Sequence, residues 1–270
     1  MPRDLGDVLH YFLPDEERAG TLRRGSERFE AFGERPLSAR PAALPILAIP
    51  VGDRDVVRAA YAWNLAVEVA RRGASATLVA SDRSETSPLW PEPGRGPVGT
   101  EVALSSARSF GELGLAALDI AVKRAADSTD GGVVLVTVPP EWFREAADGR
   151  ALTRWVLLFS AAETPELLES YGLAKQILRA NPDAEVGVTI HGVRRIAEAQ
   201  GAFDRLAGAA VRHLDRRLTS YGLLVDDLHV YRAIVSRRPI CLEHPQSHAA
   251  KALRDVARLL LDDARQRAVG

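Results

Sequence analysis

The sequence predicts an α/β fold. Short apolar runs of strand length recur along it, and the stretches between them carry helical periodicity. Leu44 to Val51 (LPILAIPV) is apolar and ends at Gly52, as a buried parallel strand should. From Val56 to Arg72 the apolar positions Val56, Ala60, Trp63, Ala66 and Val67 recur at helical spacing, and Gly73 supplies the stop. A strand, ATLVASD, follows. Ser81 to Gly99 (SDRSETSPLWPEPGRGPVG) is rich in Ser, Pro and Gly and reads as a loop, its Trp90 either capped by the domain surface or offered to a partner. A helix from Phe110 to Ala126 and a strand from Val133 to Val138 resume the alternation. Next come a strand Arg154 to Ser160, a helix Pro165 to Ala180 and a strand Glu185 to His191. A long helix from Val193 to Tyr221, a strand Leu223 to Val225 and a helix Ser247 to Ala268 complete the chain. The unbroken alternation predicts one α/β domain over residues 44–270.

Residues 1–43 stand apart as an N-terminal helix and linker. Leu5, Val8, Leu9, Phe12 and Leu13 form an i, i+3, i+4, i+7, i+8 stripe, one short amphipathic helix ended by Pro14. So short a helix is marginal in water and must pack on something: a protein partner, by the helix-in-groove mode, or its own domain. A charged segment with a second predicted helix, Glu16 to Arg24, leads to a linker holding Pro36 and Pro41.

Composition narrows the function. An apolar content of 46% suits a globule with a full core, and a net charge of −1 gives no whole-molecule attraction to nucleic acid or membrane. Cys241 has no cysteine to pair with, and neither a secretory leader nor a membrane-length apolar run is visible, so a cytoplasmic location is expected. Cys241, His244 and His248 have a spacing that offers metal ligands, but Pro245 interrupts it and no fourth ligand is apparent, so no metal is expected.

The loop Gly52-Asp53-Arg54-Asp55-Val56-Val57-Arg58-Ala59 sits between strand and helix, where α/β proteins cradle phosphate. A phosphate loop needs glycines that let backbone N–H groups close on the anion, a lysine, and a Ser or Thr hydroxyl for magnesium. The first lysine of the chain is Lys123, and Asp53 and Asp55 would repel an anion. With Asn64-Leu65-Ala66 on the helix, this segment resembles the start of the MinD/ParA family of P-loop ATPases, which includes flagellar-number regulators of the FlhG/FleN kind. The resemblance implies a doubly wound, mostly parallel sheet with helices on both faces. It continues through GVVLVTVPP, EVGVTIHGV and the tail RRPICLEHPQSHAAKALRDVARLL from Arg237 to Leu260, which resembles the family's closing RRxPxxxxxPxSxxAxxxxxLA pattern without the residue between Arg238 and Pro239. It places Asp53 at the family's first lysine, Arg58 at its P-loop lysine and Ala59 at its magnesium-binding Ser/Thr. Ala80 and Asp82 fall at its acidic pair, Thr137 at its magnesium-organising Asp, and His191 at an Asn used for adenine. Ala19-Gly20-Thr21-Leu22-Arg23 partly matches a peptide by which the FlhG-like proteins act on a partner GTPase.

The frame of an ATPase without its chemistry is therefore expected: a pseudo-ATPase with no cofactor, serving as a protein-binding scaffold or regulator in flagellar, polar or division placement. Arg58 is expected to be neutralised by Asp53, Asp55 or Asp82, and any homodimer to be indifferent to nucleotide. The alternatives are a residual nucleotide binder or ATPase, and a ParA-like protein binding DNA through Arg194, Arg195, Arg212, Arg216, Arg217, Arg232, Arg237 and Arg238. Interleaved Glu198, Asp204, Asp215, Asp226 and Asp227 dilute that basic set, and Asp262 and Asp263 make the C-terminal tail unsuited to a membrane. One cysteine also argues against the family's iron–sulfur relatives.

Overall fold

The computed structural model describes residues 2–9, 41–81, 93–148 and 150–269 of the chain. The predicted Phe12, Leu13 and Pro14, the second helix with its Ala19–Arg23 match, Asp82 and Trp90 lie outside these residues. The strands are β1 (Ile46–Pro50), β2 (Ser75–Ser81), β3 (Gly94–Arg95), β4 (Glu101–Ser105), β5 (Gly132–Val138), β6 (Trp155–Ala161), β7 (Glu185–Val193) and β8 (Thr219–Val225). The helices are α1 (Leu5–Val8), α2 (Val56–Arg71), α3 (Phe110–Asp127), α4 (Arg150–Thr153), α5 (Thr164–Ala180), α6 (Ile196–Leu214), α7 (Leu228–Ser236), α8 (Ile240–Glu243) and α9 (His248–Val269).

The strands form one eight-stranded sheet in the order β3-β4-β2-β5-β1-β6-β7-β8, parallel except for the β3–β4 pair. β1 and β5 run in register from Ile46 opposite Val134 to Pro50 opposite Val138. Burial on both sides requires near-continuous apolar strands, and β5 is buried at every residue. From β1 the chain crosses one way along the sheet to β2, and from β6 it crosses the other way to β7. Right-handed crossovers then put α2 and α5 on opposite faces and leave a crevice beyond the carboxyl ends of β1 and β6.

Several expected boundaries shift. α6 ends at Leu214, where Asp215 turns into the left-handed region (φ 53°), because Thr219 to Tyr221 are needed in the sheet as the start of β8. β7 runs on past a register shift to Val193, with Gly192 at φ 69°, a conformation open to glycine. β3, inside the stretch Ser81 to Gly99 expected to be a loop, β4 directly after it, and α7 and α8 are not anticipated by periodicity.

The described N-terminal residues 2–9 pack on the domain. Leu5 and Val8 are each 1% exposed against β8 and α6, and Leu9 is half-buried on the same core. Of the two surfaces expected to cover the stripe, a partner or its own domain, the described Leu5, Val8 and Leu9 lie on the chain's own apolar surface. Arg3 reinforces the attachment. Its carbonyl accepts the Ser220 N–H at 2.8 Å, and its guanidinium donates to both Asp263 carboxylate oxygens at 2.9 and 2.6 Å. Asp263 also accepts the Tyr221 hydroxyl at 2.5 Å, and Tyr221 accepts Trp155 Nε1–H at 3.0 Å. Gly187 makes room for this ring, since a Cβ there would come within 2.3 Å of it.

Candidate functional site

The loop from Val51 to Ala59 contains no residue of positive φ, so its N–H groups do not curl into an anion nest. It makes a tight turn instead, Asp55 N–H donating to Gly52 C=O at 2.9 Å. α2 starts directly after, and its N-terminus is satisfied from within: Asp55 accepts the Arg58 N–H at 2.9 Å. A carboxylate of the chain thus takes the position where a helix N-terminus attracts phosphate.

Arg58 bridges the crevice. Its side chain, 11% exposed, pairs with Asp55 at 3.2 Å, with Glu166 in a short contact, and with Glu169 at 3.6 Å. Of the expected partners Asp55 is one, whereas Asp53 is exposed and unengaged by Arg58. Glu166 and Glu169 come from α5 across the switch point, a pairing without a local sequence signal because 108 residues separate Arg58 from Glu166. Buried charge is tolerable only when compensated, and three carboxylates compensate this one.

The other positions carry no metal chemistry. Ala59 is buried and has no hydroxyl. Thr137 is buried and donates its hydroxyl to Val79 C=O at 3.3 Å, tying β5 to β2. His191 packs its ring against Tyr61 at 5.5 Å, and Tyr61 packs on Phe159 at 5.4 Å. Burial, and then the charge of Arg58, pull the His191 imidazole down to about 4, so it is neutral at physiological pH. Asn64, an anchor of the family resemblance, holds structure: its Nδ2 donates to Ala60 C=O and its Oδ1 accepts Ile240 N–H, each at 2.8 Å, joining α2 to α8.

Cys241 is buried, and burial pushes its thiol up to about 12, so it is unreactive. His244 packs against His229 with ring centroids 4.5 Å apart and the rings tilted by 58°. Asp227 accepts from His229 N–H at 2.9 Å and Ala249 N–H at 3.1 Å, capping α7 and α9 together. Burial opposes its ionisation, but these hydrogen bonds hold the carboxyl below its usual range. Among the described residues no cluster of His, Cys, Asp and Glu is placed to hold a metal, and no helix is long and apolar enough to cross a membrane. Of the arginines named for DNA, Arg194 pairs loosely with Asp226 at 3.6 Å and Arg216 donates to Pro182 C=O at 3.2 Å.

The sheet order and the crevice have counterparts among solved structures. The MinD cell division protein of Aquifex aeolicus matches with a TM-score of 0.57 and 13% identity, over 81% of this chain and 97% of that one. The cell division ATPase MinD of Pyrococcus furiosus matches with a TM-score of 0.58 and 13% identity, over 81% and 98%. The fold is that of the MinD/ParA ATPases. A ParA family ATPase of Chlorobium tepidum shares it with a TM-score of 0.55 and 11% identity, over 81% and 99%. A complex of MinC with MinD from Aquifex aeolicus shows the same fold, with a TM-score of 0.58 and 14% identity over 81% and 96%. No protein-family model and no curated protein sequence matches the chain. On this MinD/ParA frame the Asp55–Arg58–Glu166 cluster stands at the carboxyl end of β1, where the family resemblance places the phosphate loop.

Proposed function

We propose that this protein is a pseudo-ATPase of MinD/ParA fold, a cytoplasmic binding module that works through a protein partner, without nucleotide, in positioning cellular machinery. The observation that carries the reading is the pairing of Arg58 across the crevice with Asp55, Glu166 and Glu169. Its residues do not fit Mg-ATP. A triphosphate entering there meets Asp55 at the helix N-terminus, finds no hydroxyl at Ala59 for the metal, and must break the Arg58 pairs before gaining that charge. Support for a positioning role comes from similar structures described as cell division proteins, one of them in complex with MinC.

The test is calorimetric titration of the protein with ATP and magnesium, joined to a phosphate-release assay. No saturable heat and no turnover above background are expected. Micromolar affinity with turnover would return the chain to the enzymes.

A further inference from the structure

The segment Pro140–Asp148 that follows β5 and the helix α5 leave a cavity of about 360 Å³ between them. Phe143 anchors that segment, its ring 5.2 Å from Phe110 of α3. α5 lines the cavity with Glu169, Gly172, Leu173 and Gln176, which share a helix face at i, i+3, i+4 and i+7. Gly172 creates the space. A Cβ there would meet nothing within 4 Å, so close packing does not require this glycine, which is unfavourable in a helix interior. The polar groups around the cavity are left over by the fold. Glu141 and Arg144 both line it, both are exposed, and neither has a hydrogen bond or ion pair among the described residues. Glu169 reaches Arg58 only at 3.6 Å, and Gln176 Oε1 is buried without a partner.

We propose that this cavity binds a free basic amino acid, arginine or lysine. Uncompensated charges of both signs on one cavity call for a ligand that carries both, and an α-amino acid is the smallest that does. Arg144 takes its carboxylate, which the planar guanidinium fork grips with two parallel hydrogen bonds. Two carboxylates against one guanidinium leave the lining one charge negative, so the ligand brings a second cation on its side chain. Glu141 and Glu169 receive the two cationic groups. A half-turn of the Gln176 amide offers its oxygen to one of them, which satisfies the orphaned acceptor. Leu173 covers the aliphatic stem. A cavity of this volume lies at the lower end of small-molecule sites and suits a ligand the size of one residue. Occupation draws Glu169 from Arg58, which keeps Asp55 and Glu166. The proposal goes beyond the nucleotide-free reading and stands without it.

Calorimetric titration of the full chain should show saturable binding of L-arginine or L-lysine with a Kd below about 1 mM, and none of L-leucine or L-glutamate. Gly172→Leu should raise that Kd at least about tenfold by filling the space. Its melting midpoint should not fall, because leucine favours the helix and meets no neighbour at Cβ. Arg144→Gln should weaken the amino acid about tenfold and leave agmatine and cadaverine, which lack the carboxylate, unchanged. Glu141→Gln should weaken amino acid and amine alike. No saturable binding of either amino acid, wild-type affinity in Gly172→Leu or Arg144→Gln, or an amine bound as tightly as its amino acid would overturn the proposal. N-acetyl-L-arginine amide bound more tightly than L-arginine would overturn it in favour of a peptide's arginine side chain. Mg-ATP binding would overturn the nucleotide-free reading and leave this one standing.

Discussion

Arg58 and His191 show how a single buried group at a crevice is kept. Arg58 is held by carboxylates of which Glu166 and Glu169 are 39% and 46% exposed, so solvent screens part of each pair. Arg58→Ala should therefore cost about 1–3 kcal/mol rather than the larger penalty of a fully buried pair, read as a lower urea midpoint at unchanged m-value. The His191 imidazole titrates near 4 in the folded protein against 6.5 in the unfolded chain. Between those values the unfolded chain binds the proton and the native state does not. The stability contributed by neutral His191 is thus complete above pH 6.5 and lost as pH falls toward 4, up to about 3 kcal/mol in all. Urea midpoints at pH 7 and pH 4.5 should converge in His191→Gln relative to wild type. An equal pH slope in both proteins would show that another group carries it.

At the scale of elements, α1 acts as a strap. Leu5 and Val8 fill an apolar surface on β8 and α6, and Arg3 both accepts an N–H of the edge strand β8 and neutralises Asp263. An exposed edge invites pairing with other chains, and covering it removes that hazard. Removing residues 1–9 should lower the melting midpoint by about 5–10 °C, as a loss of about 2–3 kcal/mol does in a domain of this size. Arg3→Ala alone should account for about 1–2 kcal/mol, because the pair is partly exposed, at 23% and 12%. If the truncated chain melts with the intact one, α1 contributes nothing to the fold and its burial has no energetic weight.

For the whole molecule, nucleotide linkage is the discriminating property. A ligand present at about 100 times its Kd stabilises a native state by about 2.7 kcal/mol. Melting curves with and without millimolar Mg-ATP should superimpose, and an upward shift of several degrees would reveal a competent site.

The α/β class, the course of β1, α2, β5, α5 and β7 and the MinD/ParA likeness are legible in the sequence, because buried parallel strands and amphipathic helices are local patterns of period and polarity. The absence of a lysine and a hydroxyl at Arg58 and Ala59 is equally a property of the residues themselves. Tertiary structure alone decided which acids meet Arg58, since Glu166 joins it only through the reversal of crossovers at β1 and β6. It also decided that Leu5 and Val8 face β8 and α6 rather than a partner: a stripe records that an apolar face must be covered, and the surface covering it is fixed only when distant segments pack.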